Sequence, residues 1–319
     1  MLFDQISHTS HFKSLLKNDF YLSLESDDGK RSIQTLLNNS VLLGGKRLRP
    51  LLTILFGNLA NVPAENLQVL AKSIEYVHAA SLAHDDVIDN ATTRRGKDSI
   101  NILGDNKMAI LAGDFLLAEV ITDLSRLGKI EIVQEMSSII KRLSLGEWKQ
   151  HDCLKNKKYQ ENNFFEIYLN KTSSVMEWCS VAPFLMMDFD DELIQMARNF
   201  GENLGISFQL YDDLLDFSQG SQKDQFLDLK NGQLTYITYK YLSQKNLMKN
   251  YQNGENVLDL IQFNELSPVI KSVKIQADNY HDKCLSIFNQ MIKKLDILET
   301  DKNVTGILYL LEKLKNRTV

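Results

Sequence analysis

The stretch His78-Ala-Ala-Ser-Leu-Ala-His84-Asp85-Asp86-Val-Ile-Asp89-Asn-Ala-Thr-Thr-Arg94-Arg95 decides how the rest of the chain is read. It begins inside a helical pattern, with Ile74 and Val77 just before it and Leu82 and Ala83 within it recurring at helical spacings. Asp85 and Asp89 are four apart, so a helix stacks them on one face and both carboxylates can hold divalent cations. Three carboxylates this close repel one another and raise each other's pKa unless a cation or an arginine sits among them. Arg94 and Arg95 then offer an anion site that the same cations touch. The combination predicts a metal-bridged phosphate or diphosphate site. The bland alternative is a solvated acidic helix end with an arginine counter-charge, since charge runs usually decorate surfaces.

Downstream, Leu210-Tyr-Asp212-Asp213-Leu-Leu-Asp216 repeats the spacing after another apolar run. Two such clusters, each at the polar end of an apolar helix, predict carboxylates facing each other across a cavity. Magnesium suits them, because it takes oxygen ligands, keeps several waters and is held by one or two carboxylates plus substrate phosphates. Upstream, Gly44-Gly45-Lys46-Arg47-Leu48-Arg49-Pro50 puts basic residues at the start of a helix expected from about Leu51 to Leu59, where backbone N–H groups and the dipole also favour anions. A Walker-type phosphate loop is excluded: Ser40 stands where glycine is required, and Arg47 where Ser or Thr is.

Composition sets the frame. The four prolines, Pro50, Pro63, Pro183 and Pro268, lie far apart in 319 residues, and no Pro- or Ser-rich linker breaks the chain. This predicts one all-α domain over residues 1–319, with two or three short amphipathic helices over residues 1–40 and longer helices near 105–126, 130–155 and 163–181. A net charge of −5, from 36 basic and 41 acidic residues, argues against a nucleic-acid partner. Cys153, Cys179 and Cys284 are odd in number and lack CxxC spacing, as expected of free thiols in a reducing compartment. The N-terminus lacks a basic region followed by an apolar run, and no stretch is apolar enough to span a membrane, so a cytoplasmic protein is expected.

The Gly44–Pro50 cluster and the two aspartate motifs, in that order, resemble the trans-isoprenyl diphosphate synthases, also called polyprenyl synthetases. The likeness runs from roughly residue 40 to residue 240. It implies a single large helical bundle with a central apolar cavity, working as a homodimer. It implies a prenyltransferase that condenses isopentenyl diphosphate with an allylic diphosphate, using three Mg2+ ions per active site. By this resemblance Asp85, Asp86, Asp89, Asp212 and Asp216 bind metal, and Lys46, Arg49, His78 and Arg95 bind the diphosphate of isopentenyl diphosphate, with Arg94 beside them. Lys171-Thr172 corresponds to the pair that contacts the allylic diphosphate and the reacting tail, and Gln209 to a residue near the reacting carbons. His84 is expected to be structural or a partner of the metal ligands. Gly113-Asp114 and Gly146-Glu147 with Gln150 also fall where the family has similar residues, with simple helix packing as the other reading. The sequence departs from the family after Asp216, where the loop is short and lacks a Gly-Lys pair. Gln233 and Ile237 then stand where Lys and Pro are frequent, which weakens the expectation that Lys223 and Lys230 close over the diphosphate.

Product length is read from the helix before Asp85. At about 1.5 Å per residue, Ser81, Ala80, Val77 and Ile74 mark successive depths down one face. Family members with short products often carry an aromatic at the first two of these positions. Small Ser81 and Ala80 predict an open channel and a long, octaprenyl-type product in the heptaprenyl to decaprenyl range typical of quinone side chains, handed over at the membrane surface. Geranylgeranyl diphosphate, or the shorter farnesyl product, is the alternative if other helices close the floor. A terpene cyclase would not need the basic cluster with His78. A non-catalytic synthase subunit would be expected to lose an aspartate motif, and both are present.

Overall fold

The structure, a computed structural model, describes residue 16 and residues 20–23, 28–217, 229 and 232–316. Within these, helices account for almost all regular structure, and the only strands are two short ones. The helices expected near 105–126 and 130–155 are present as Asn106–Ser125 and Ile130–Asn156. The short helices expected over residues 1–40 fall largely outside the described residues; Asp28–Asn39 is helical. The described residues form two compact units, one from those up to residue 140 with Trp178–Asp190, the other from Lys141–Glu177 with those from residue 191 on.

In the first unit, α1 (Asp28–Asn39) leads through a turn into Gly44 and Gly45, at φ 70° and 91°, and Arg47, at φ 48°. This left-handed approach lets α2 (Leu48–Leu59) start abruptly. It begins three residues earlier than expected, so Arg49 lies in its first turn and Pro50 is already buried. Helix α3 (Ala64–Ile88) buries Leu67, Leu70, Ala71, Ile74, Val77 and Ala80. This apolar face packs on α2 and on α5 (Asn106–Ser125), which follows the short α4 (Ile100–Leu103). Between α3 and α4 lies a hairpin, β1 (Thr93–Arg94) against antiparallel β2 (Lys97–Asp98), with Arg94 opposite Lys97. Arg95 and Gly96, at φ 53° and 74°, form its two-residue turn. Positive φ at both central positions is what a right-twisted hairpin needs. Trp178, from the far end of this unit's sequence, is fully buried and donates its indole N–H to the Leu70 carbonyl at 3.1 Å.

Helix α6 (Ile130–Asn156) contributes to both units. The helix expected over 163–181 is present, with a π-helical turn inside it, and from Trp178 on it belongs to the first unit. It runs as α7 (Glu161–Ile167), a π-helical turn (Tyr168–Ser173) and α8 (Ser174–Met186). Helix α9 (Asp191–Leu215) packs on that turn and along α13 (Ser267–Lys294). Short helices α10 (Tyr236–Gln244), α11 (Met248–Gln252) and α12 (Val257–Leu260) precede α13, and α14 (Lys302–Lys315) follows it. Two glycines one turn apart let α9 come close: a Cβ on Gly201 would lie 2.4 Å from the Glu177 Cα, and one on Gly205 2.3 Å from the Ser173 Cα.

Candidate functional site

In the first unit the acidic motif occupies the last turn of α3. Asp89 caps the helix, its N–H bonded to the Asp85 carbonyl at 2.8 Å, and no basic residue lies in that turn. A helix C-terminus carries partial negative charge and favours cations, so the carboxylates stand at an end that disfavours them. Asp85 is partly exposed and Asp89 exposed, whereas Asp86 is completely buried. Arg94 reaches back from the hairpin and donates from Nε at 2.8 Å and Nη2 at 2.5 Å to the Asp86 Oδ1, leaving Oδ2 buried without a partner. The structure thus separates residues that the sequence groups together. Asp86 and Arg94 hold each other, and Asp85 and Asp89 form the outward pair.

The basic residues gather in the same unit. Arg47 donates to Glu75 and to the Leu42 carbonyl, and its guanidinium lies 5.6 Å from the Phe20 ring centroid. Arg95 donates to the Leu43 carbonyl at 3.0 Å, against Gly45, where a Cβ would sit 3.0 Å from its Nη1. Glycine at 45 is favoured by its positive φ, and a Cβ there would meet only the tip of the Arg95 side chain. Arg47 and Arg94 have carboxylate partners in Glu75 and Asp86; Arg49 and Arg95 have none within ion-pair distance among the described residues, and the Arg49 Nε is buried with no hydrogen-bond partner. Burial first, and then the Arg49, Arg95, Arg94 and Arg47 charges, push His78 well below the usual imidazole range. It is a neutral imidazole among cations. Burial also lowers the Arg49 and Arg95 guanidinium pKa values. Surplus cation at the N-terminus of α2, whose dipole is also positive, describes an anion receptor. A cavity of about 340 Å³ adjoins it, lined by Gly44, Gly45, Asp86, Arg94, Arg95 and Lys97 among others. Lys46 is exposed at its edge of the loop.

His84 faces α5, its Nε2 3.2 Å from the Ile110 carbonyl oxygen and 3.4 Å from Asp114. A Cβ on Gly113 would lie 2.3 Å from that nitrogen, so Gly113-Asp114 serves to seat His84. Ser81 is partly exposed and donates to the His78 carbonyl at 2.9 Å, while Ala80, Val77 and Ile74 are buried.

The second unit repeats the arrangement on α9. Asp212 and Asp216 are partly exposed, Asp213 is buried, and the last turn again has no basic residue. Asp213 accepts from the Tyr168 hydroxyl at 2.6 Å, from Gln209 Nε2 at 3.3 Å and from the Tyr236 N–H at 3.4 Å. Burial pushes its carboxyl up to about 7; the Tyr168 and Gln209 hydrogen bonds oppose this, and the neighbouring Asp212 adds to it. Gln209 also accepts from the Thr172 hydroxyl at 2.9 Å. Lys171 pairs with Glu147 and lies 3.1 Å from the Gln150 Oε1. Lys171, Thr172, Gln209 and Asp213 thus line one cavity of about 220 Å³ with Tyr168 and Gln150. Tyr168 was not among the expected residues; its place three before Lys171, on the same helical face, is the signal that would have found it. Lys223 and Lys230 lie outside the described residues.

Asp213 makes a stability prediction. Its folded pKa is raised from 3.8 to about 7, so between those values the unfolded chain loses this proton first and stability falls as pH rises. In EDTA, wild type is expected to lose roughly 2–4 kcal/mol relative to Asp213→Asn between pH 4 and 7, at about 1.4 kcal/mol per pKa unit, with no further divergence above. Urea unfolding at successive pH values measures this, and parallel curves throughout would refute it.

No three His, Cys, Asp or Glu side chains converge on a closed metal site among the described residues. The outward carboxylates instead come as pairs of hard oxygen donors at two helix C-termini, which suits an ion that keeps waters and completes its shell with phosphate oxygens.

Comparison with known proteins bears on these clusters. The family model for polyprenyl synthetase matches residues 30–264. A probable mitochondrial hexaprenyl pyrophosphate synthase of Yarrowia lipolytica is 32% identical over 263 residues, which cover 78% of this chain and 57% of that protein. The chain thus spans little more than half the length of that curated relative. In fold, the chain is similar to a decaprenyl diphosphate synthase from Rhodobacter capsulatus, with a TM-score of 0.82, 21% identity and 97% of each chain covered. It is also similar to a polyprenyl synthase from Caulobacter crescentus CB15 complexed with calcium and isoprenyl diphosphate, with a TM-score of 0.78, 22% identity and 98% and 95% of the chains covered. With the motifs, the all-α fold and a family match across most of its length, this chain belongs to the polyprenyl synthetase family.

Proposed function

We propose that the protein is a magnesium-dependent prenyltransferase that condenses isopentenyl diphosphate with an allylic diphosphate to make a long-chain all-trans polyprenyl diphosphate. One observation carries the reading: three helix ends hold the charge their dipoles disfavour. Carboxylates sit at the C-termini of α3 and α9, and at the N-terminus of α2 stands Arg49, which has no carboxylate within ion-pair distance among the described residues. Divalent cations bearing diphosphates reconcile all three.

In this reading Asp85 and Asp89, and Asp212 and Asp216, hold magnesium ions, three per active site. When bound, these ions neutralise charge on the departing diphosphate. Lys171 binds the allylic diphosphate, while Thr172 and Gln209 lie beside the reacting carbons. Lys46, Arg49 and Arg95 bind the diphosphate of isopentenyl diphosphate, and neutral His78 hydrogen-bonds to it. Asp86 and Arg94 fix the hairpin that presents Arg95. The allylic C–O bond breaks, the isopentenyl double bond forms a new C–C bond to that carbon, and a proton leaves to the released diphosphate. No side-chain nucleophile takes part.

Small Ala80 and Ser81 support the long product, as do the hexaprenyl and decaprenyl names of the similar proteins. Geranylgeranyl diphosphate is the second reading. We also propose a homodimer, supported by the exposed apolar side chains of Ile102, Leu103, Met108 and Leu111 on α4 and α5. The three free, buried cysteines are consistent with the cytoplasmic location we propose. No described helix is long and apolar enough to cross a membrane, and we propose that the product is handed over at a membrane surface.

The test is incubation with magnesium, labelled isopentenyl diphosphate and farnesyl diphosphate, with dephosphorylated products resolved by length. A ladder ending at seven or more isoprene units supports the proposal; termination at four favours the second reading, and no incorporation with any primer overturns both. In the same assay Ala80→Phe is expected to shorten the final product by several isoprene units while first-addition kcat stays within about threefold, a barrier shift under 1 kcal/mol. An unchanged ladder would show that the chain does not grow along this face of α3.

A further inference from the structure

The π-helical turn Tyr168–Ser173 holds two residues of the proposed site, Lys171 and Thr172, and its hydrogen bonding is completed from another helix. The Ser174 N–H reaches the Leu169 carbonyl five residues back, where an α-helix would use Ser173. That carbonyl has a second lone pair, and the Arg142 Nη2 of α6 fills it at 2.7 Å. The same guanidinium forks onto Glu177, Nη1 to Oε2 at 2.6 Å and Nη2 to Oε1 at 2.8 Å. The Glu177 carboxylate is 2% exposed and sits one turn beyond the π turn. Arg198 of α9 reaches the same carboxylate at 3.4 Å. Close contact fixes the neighbours too: a Cβ on Gly146, one turn along α6 from Arg142, would lie 2.7 Å from the Lys171 Cγ.

From this we infer that Arg142 is a positioning residue for the allylic substrate: it holds the π turn open, and so sets how Lys171 and Thr172 are turned around the helix axis relative to Tyr168. A charge-assisted donor on the Leu169 oxygen stabilises the wider turn, and anchoring the donor to buried Glu177 makes the brace rigid. Without it the segment can relax toward the ordinary α bonding pattern. Lys171 would then leave Glu147 and Gln150, and Thr172 would leave Gln209. This inference rests on the prenyltransferase reading for its kinetic test only.

The experiment compares Arg142→Met, Arg142→Lys and Arg198→Met in the full chain. Arg142→Met is expected to raise KM for the allylic diphosphate at least tenfold and to leave KM for isopentenyl diphosphate within twofold. Arg198→Met, which removes charge from the same carboxylate while the Arg142 bond to the Leu169 oxygen stays in place, is expected to leave both within twofold. Arg142→Lys keeps a cation on Glu177 but loses the fork, and is expected to fall between. In a Lys171→Met background, Arg142→Met is expected to add less than twofold. Hydrogen exchange of amides 172–174 is expected to speed at least tenfold in Arg142→Met and not in Arg198→Met. Equal effects of Arg142→Met and Arg198→Met, or a parallel rise in both KM values, would overturn the inference. An inactive wild type would overturn the functional reading alone, and the exchange comparison would then decide whether the brace exists.

Discussion

Asp85→Ala is expected to lower kcat for isopentenyl incorporation by about a thousandfold or more, several kcal/mol of transition-state stabilisation in a metal-assisted step. The reasoning is positional. Asp85 is partly exposed on the last turn of α3, stacked one turn from Asp89, and its carboxylate is one of two that can reach a shared ion. Removing it relieves repulsion at a helix C-terminus, so the folded state is expected to be no less stable, and in EDTA slightly more so. Loss of rate without loss of stability separates a ligand from a structural carboxylate. Asp86→Asn should behave differently, because Asp86 is buried and paired with Arg94. It is expected to weaken isopentenyl diphosphate binding through the displaced hairpin and Arg95, and also to lower the melting temperature. Steady-state kinetics with calorimetry on both variants makes the comparison. Equal losses of rate and stability in the two would show that all three carboxylates act alike.

The contrast shows what the sequence could carry. The Asp85 and Asp212 motifs and the Gly44–Pro50 cluster were legible because each is a local pattern, residues within one or two helical turns whose spacing has a direct chemical meaning. The long helices were legible for the same reason, from apolar periodicity and scattered prolines. Which carboxylate of each motif is buried was not. Whether an aspartate points outward or inward depends on partners beyond its motif: Arg94, eight residues on, for Asp86, and the distant Tyr168 hydroxyl and Tyr236 N–H for Asp213. The π-helical turn at Tyr168–Ser173 was equally invisible, because Tyr-Leu-Asn-Lys-Thr-Ser contains no proline or glycine and reads as ordinary helix. It depends on Arg142 and Glu177, residues with no local signature. Gly201 and Gly205 could be seen as weak points in a helix, but only the packing shows that they are contact points.

That packing sets the second large effect. Gly205→Val is expected to destabilise the protein by about 3 kcal/mol and to lower its melting temperature by roughly 6–9 °C. A Cβ at 205 would lie 2.3 Å from the Ser173 Cα, 2.5 Å from its Oγ and 2.7 Å from its backbone N. Two of these atoms are main chain inside the π turn, so no rotamer change relieves the clash and α9 must move away. Gly57→Ala is the informative comparison. Its Cβ would approach Leu67 Cδ1 at 2.2 Å, closer still, but that atom is the tip of a flexible side chain. A rotamer adjustment there, set against the gain of about 1 kcal/mol from replacing a mid-helix glycine, leaves an expected net change under about 1 kcal/mol. Gly205 also has a functional consequence that Gly57 lacks. Thr172 and Gln209 meet at 2.9 Å because α9 lies against the turn, and Gln209 is one helical turn beyond Gly205. Gly205→Val is therefore expected to raise KM for the allylic diphosphate even at temperatures where the variant remains folded. Chemical denaturation and kinetics on the two variants check both halves, and a Gly205→Val protein as stable as Gly57→Ala would mean that α9 does not pack against the turn this closely.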